Sequence, residues 1–137
     1  MAHQSDRSHM NPLLAILVCD HDVAFREALR NFLFTAGYTK VHVVPTVREA
    51  LAKLRRESYQ YVLVGISRSR LVERRLMSVA QRRQPKAKIL FLISASDLHF
   101  IQDTSFVYVI KERAFITLSE LLAQNGNDVF ATSTENS

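Results

Sequence analysis

The chain has 137 residues, enough for one compact domain with a real core and too few for two. A hydrophobic share of 47% and a charged share of 23% are those of a folded globular protein, which excludes a disordered or fibrous chain. The formal charge of +5 is uneven, because the eight basic residues from Arg68 to Lys88 share their segment with a single acid, Glu73.

A lone cysteine, Cys19, rules out an internal disulfide and sits inside an apolar run as a buried free thiol would. A reducing, cytoplasmic setting is the expectation. The longest apolar run, Leu13 to Cys19, is too short to cross a bilayer, and Met1 to Met10 lacks the apolar segment of a secretory signal. No membrane association is expected. Residues 1–12 read as a disordered or vector-derived segment, 13–125 as the domain, and 126–137 as a polar tail or linker.

In chain order, Ala15 to Cys19 is an apolar run of strand length, followed by the polar Asp20-His21-Asp22. Val23, Ala24, Leu29, Phe32, Leu33 and Ala36 then recur at helical spacing, with Asp22 placed to cap the helix and Gly37 to close it. Val41 to Val44 reads as the second strand. Thr46-Val47-Arg48-Glu49 has capping-box spacing, hydroxyl and carboxylate each serving a backbone N–H, and opens a helix striped by Val47, Ala50, Leu51 and Leu54.

Tyr61 to Ile66 is a short Val/Ile-rich run suited to a strand buried on both faces, with Gly65 at its end. A looser helix carrying Leu71, Leu76, Met77, Val79 and Ala80 follows and stops before Pro85. Lys88 to Ile93 and Phe106 to Ile110 are the last strands, and the stretch from Ser94 to Ser105 offers at most a turn or two of helix. Thr117-Leu118-Ser119-Glu120 is a second capping-box pattern, with Ile116 set to staple onto Leu121 and a short helix from Leu118 to about Asn125. Strand-helix alternation of this kind implies a parallel sheet covered on both faces, with chemistry at the carboxyl ends of its strands.

The pieces ILVCDHDVAFREAL, GYTKVHVV, EALAKL, YQYVLVGIS, ILFLISASD and YVIKERAF, in this order, resemble the receiver domain of two-component response regulators over about Leu14 to Ala123. The resemblance implies a three-layer, doubly wound α/β fold with a five-stranded parallel sheet in the order 2-1-3-4-5 and a fourth helix shortened or missing. It also implies a pocket in which an acidic pair holds Mg²⁺, an aspartate accepts a phosphoryl group, and a Ser or Thr and a Lys steady its oxygens. Here the matching positions are Asp20, His21, Gly65, Ser94 and Lys111, with Tyr108 at the place of the switch aromatic. Gly65 has no side chain to phosphorylate, and the His21 imidazole is a poor Mg²⁺ ligand. Glu112 stands where the family carries a proline.

The resemblance therefore points to a degenerate receiver, a pseudo-receiver with no catalytic residue, no resident metal and a lost or weak Mg²⁺ site. It is expected to act as a non-enzymatic signalling module through contact with a protein partner or its own output domain, one of DNA-binding or transcription-activating kind, with homodimerisation open. Lys111 is expected to pair with Asp20, and His21 to be an exposed loop residue. Two rivals are a working response regulator using another acceptor such as Asp20, and nucleic-acid binding through Arg74, Arg75, Arg82 and Arg83. The second ranks lower because no aromatic residue interleaves those arginines to stack on bases.

Overall fold

The structure, a computed structural model, describes residues 13–66, 70–101 and 106–124, with the side chains of 70–74 outside that description. Five parallel strands form one sheet: β1 (Ala15–Cys19), β2 (Lys40–Val44), β3 (Tyr61–Gly65), β4 (Lys88–Ile93) and β5 (Val107–Ile110). Their spatial order is β2-β1-β3-β4-β5, so the run ending in Gly65 is the central strand. The helices are α1 (Val23–Thr35), α2 (Val47–Arg56), α3 (Arg70–Arg83) and α4, which covers residues 114–124. Right-handed crossovers between parallel strands place helices on both faces.

Alternation along the strands sends side chains into two separate cores. From β3, Tyr61 and Leu63 pack with Leu29, Leu33, Leu118 and Leu122 on one face, whereas Val62 and Val64 pack with Leu51, Leu54, Leu76 and Ala80 on the other. A fully buried Leu or Val stabilises by roughly 1.5–3 kcal/mol, so the sheet interior holds the fold whatever happens in the loops. Cys19 lies in the second core, and burial pushes its thiol up to about 12. It is inert at neutral pH.

Local signals explain most boundaries. Asp22 accepts from the Phe25 N–H at 3.2 Å at the start of α1, and Gly37, at φ 104°, supplies the left-handed turn after it. Thr46 accepts from the Glu49 N–H at 3.2 Å, but the Glu49 carboxylate takes the Thr46 hydroxyl at 3.1 Å, so the capping box is closed side chain to side chain.

Among its described residues, the crossover from β4 to β5 carries a 3₁₀ turn, Ala95–Phe100, with no buried residue, in place of a fourth long helix. The last helix differs from the sequence expectation: it starts at 114, Thr117 lies inside it, and Ile116 is 63% exposed, so there is no staple. The i, i+4, i+8 row of Ala114, Leu118 and Leu122 buries onto the sheet and overrides the cap-like pattern.

Candidate functional site

Strand register decides which residues meet. Cys19 pairs with Val64, Gly65 with Leu92, and Ile93 with Ile110. The residues just past β1, β4 and β5 are Asp20, Ser94 and Lys111, so these gather around Gly65 at the carboxyl edge of the sheet.

Asp20 is 1% exposed, the one charged residue among the described residues that is buried. Its Oδ1 accepts from the Asp22 N–H at 2.9 Å, and its Oδ2 lies 2.8 Å from Lys111 Nζ, with no further hydrogen-bond partner among the described residues. Lys111 is drawn inward, its ammonium 4.8 Å from the centre of the Phe25 ring. Arg26 donates to the Asp20 backbone carbonyl at 2.8 Å and ties α1 to the same turn. The expected pairing of Lys111 with Asp20 is present.

The carboxylate also rests directly on Gly65. A Cβ at position 65 would overlap it, standing 2.5 Å from Asp20 Cγ and 3.0 Å from Oδ1. Asp20 fills the space that any side chain at the end of β3 would need.

The neighbouring polar residues do not join this pair. The His21 side chain is 73% exposed, with Nδ1 3.8 Å from Asp20 Oδ1, and Asp22 is spent on its helix cap. Among the described residues no three His, Cys, Asp or Glu side chains converge as metal ligands would.

At the end of β4, Ser94 meets a partner that sequence reasoning missed. Glu112 reaches across from the turn after β5, accepting from the Ser94 hydroxyl at 3.1 Å and the Ala95 N–H at 2.9 Å. The only sequence signal was the replacement of a family proline. The Ala95 N–H, then Glu112's own backbone N–H and the Ser94 hydroxyl, hold this exposed carboxyl below its usual value of 4.5. A depressed folded value adds stability that is present above the unfolded value and lost as pH falls through the folded one. Glu112→Gln should therefore lower the urea midpoint slightly at neutral pH, and the gap from the parent should close on acidification below the carboxylate range. A gap independent of pH would show that the charge is not what holds the contact.

Tyr108 is half-buried against Phe91 and Phe106, with ring centres 5.8 and 6.4 Å away. The expected basic surface is divided: Arg75 sits beside Arg48 and Arg55 of α2, whereas Arg83 lines a different cleft with Tyr59 and Pro85. Arg82 is exposed, and the side chain of Arg74 lies outside the description, as does Ser67.

Among solved structures, the chain is similar to the response regulator TrrA of Thermotoga maritima, in complex with Mg²⁺–BeF, at 27% identity and TM-score 0.69 over 82% of this chain and 98% of that one. The fold is the receiver fold. A CheY-like receiver domain of Methanospirillum hungatei JF-1 matches at 24% identity and TM-score 0.67, over 85% and 95% of the two chains. A de novo designed Rossmann 2x3 protein matches as well, at 17% identity and TM-score 0.64 over 82% and 91%. The shape by itself thus carries no activity. No protein-family model matches the sequence, and no curated protein matches it significantly. The natural neighbours are signalling modules and support a response-regulator module here. No helix among the described residues is long and apolar enough to cross a membrane.

Proposed function

We propose that this domain is a pseudo-receiver: a signalling module that takes no phosphoryl group and regulates an output domain, or a separate partner, through protein contacts. One observation carries the reading. The Asp20 carboxylate lies on Gly65 and pairs with Lys111, so the place of the acceptor, the first metal-binding acid and the lysine are all consumed by one internal contact.

The residues present do not fit Mg²⁺. Among the described residues, Asp20 is the one carboxylate in contact with Lys111, its two oxygens already face the Asp22 N–H and an ammonium, and a hard octahedral cation would have to displace that ammonium. Asp20 is no better as an acceptor, because a phosphoryl donor would need access to oxygens that are buried against β3. No Mg²⁺ or other cofactor is assigned, and the module is not an enzyme.

The test is incubation with acetyl phosphate and Mg²⁺, followed by intact mass and peptide mapping, with a parallel beryllofluoride titration watched by amide NMR. The TrrA structure, holding Mg²⁺–BeF, makes the second reagent a fair probe of the fold. No mass gain and no shifts around Gly65, Ser94 and Lys111 are expected. A Mg²⁺-dependent phosphoryl adduct on an aspartate would overturn the reading.

A further inference from the structure

Away from the strand ends, a cleft of about 470 Å³ runs between α2 and α3, lined by Val47, Arg48, Leu51, Arg55 and Arg75. Along α2 it extends from Val47 to Arg55, which is roughly 12 Å or two helical turns. Its floor is apolar, Leu51 being 9% exposed and Val47 half-buried, and its rim is three exposed guanidinium groups. Among the described residues no carboxylate pairs with any of the three. The one acid of α2, Glu49, is held by Thr46. By contrast Arg26, Arg30, Lys53 and Lys111 each have a partner within the domain.

We propose that this cleft docks an acidic amphipathic helix of a protein partner, whose aliphatic side chains settle on Val47 and Leu51 while its carboxylates face Arg48, Arg55 and Arg75. Concavity, two-turn length and an apolar floor suit a helix laid in a groove. Guanidinium groups that no described carboxylate pairs, set above low-dielectric walls, focus a positive potential that selects carboxylates and excludes basic segments. A nucleic-acid backbone would gain nothing from the floor, and the lining holds no aromatic ring for a base to stack on. The inference rests on the reading that the module works by protein contact, and it is independent of the state of the pocket at Gly65.

The experiment uses the full chain and three fluorescein-labelled probes: a designed Glu-rich helical peptide with Leu at i, i+3 and i+7, the same peptide with Ser for Leu, and a random DNA duplex. The Leu peptide should bind saturably and weaken with salt, shifting amide signals of residues 47–55 and 75. Arg48→Ala/Arg55→Ala/Arg75→Ala should weaken it at least about tenfold, a loss of 1.4 kcal/mol, while the triple Lys variant keeps most of the affinity. These positions are exposed, so both variants should fold, which circular dichroism checks. Absence of saturable binding, equal binding of the Ser peptide, or preferential duplex binding lost in the Ala variant would each overturn the proposal. A chain that fails here and still takes no phosphoryl group keeps the pseudo-receiver reading and loses only the docking site.

Discussion

Lys111→Ala is expected to be the most damaging single change at the pocket, costing about 3–5 kcal/mol of unfolding free energy. Among the described residues, Lys111 Nζ is the one ammonium or guanidinium group in contact with the Asp20 carboxylate, and the exposed His21 ring stands 3.8 Å away. Asp20 is 1% exposed, so removing the ammonium leaves a buried carboxylate that, among the described residues, a single backbone N–H serves. The penalty is that of the stranded charge, not the net worth of the pair, because forming a buried ion pair also costs desolvation of both partners. Asp20→Ala/Lys111→Ala should therefore be markedly more stable than Lys111→Ala alone. Urea denaturation of the two variants checks this. If the double variant is no more stable than the single one, Asp20 is not stranded and the ion pair does not hold this corner.

The fold was legible because the strands are short, mostly apolar runs, interrupted only by His42 in β2, and the helices show apolar stripes at helical spacing. Lys88 to Ile93 was delimited to the residue, and Tyr61 to Ile66 was placed at the centre of the sheet with only Ile66 falling beyond the strand. The start of the last helix was misplaced because Thr117 and Glu120 mimic a cap, while the packing of Ala114 against the sheet is a tertiary contact that no local pattern carries. At the pocket, the identity of the missing side chain could be read from Gly65. What fills the gap could not, since it depends on register that sets Asp20 beside residue 65, and on a glycine without a Cβ to keep the carboxylate away. Glu112 was equally hidden, being a surface acid in the sequence and a bridge between two loops in the fold. The cleft between α2 and α3 joins Arg48 and Arg55 of one helix to Arg75 of the next, which a reading of one helix at a time does not unite.

Restoring an acid at the end of β3 tests the same geometry from the other side. Gly65→Asp should not return a phosphorylatable receiver, and should destabilise the domain, because the new side chain enters space that the Asp20 carboxylate already occupies. Gly65→Ala isolates the steric part. Forcing a methyl group into a filled site costs about 1–3 kcal/mol, and the conflict here is with a side chain anchored by Lys111 and the Asp22 N–H, not one free to swing away. Gly65→Asp adds like-charge repulsion at contact distance and should fall further. A double-mutant cycle separates this account from a general intolerance at β3. If Asp20 is the obstacle, Gly65→Ala should cost much less in an Asp20→Ala background, with a coupling of about 1–3 kcal/mol between the two positions. Additive losses would mean that residue 65 is crowded by something other than Asp20. A parent-like stability for Gly65→Ala would mean that the carboxylate moves aside freely, and the pocket would then have room for the acceptor it lacks.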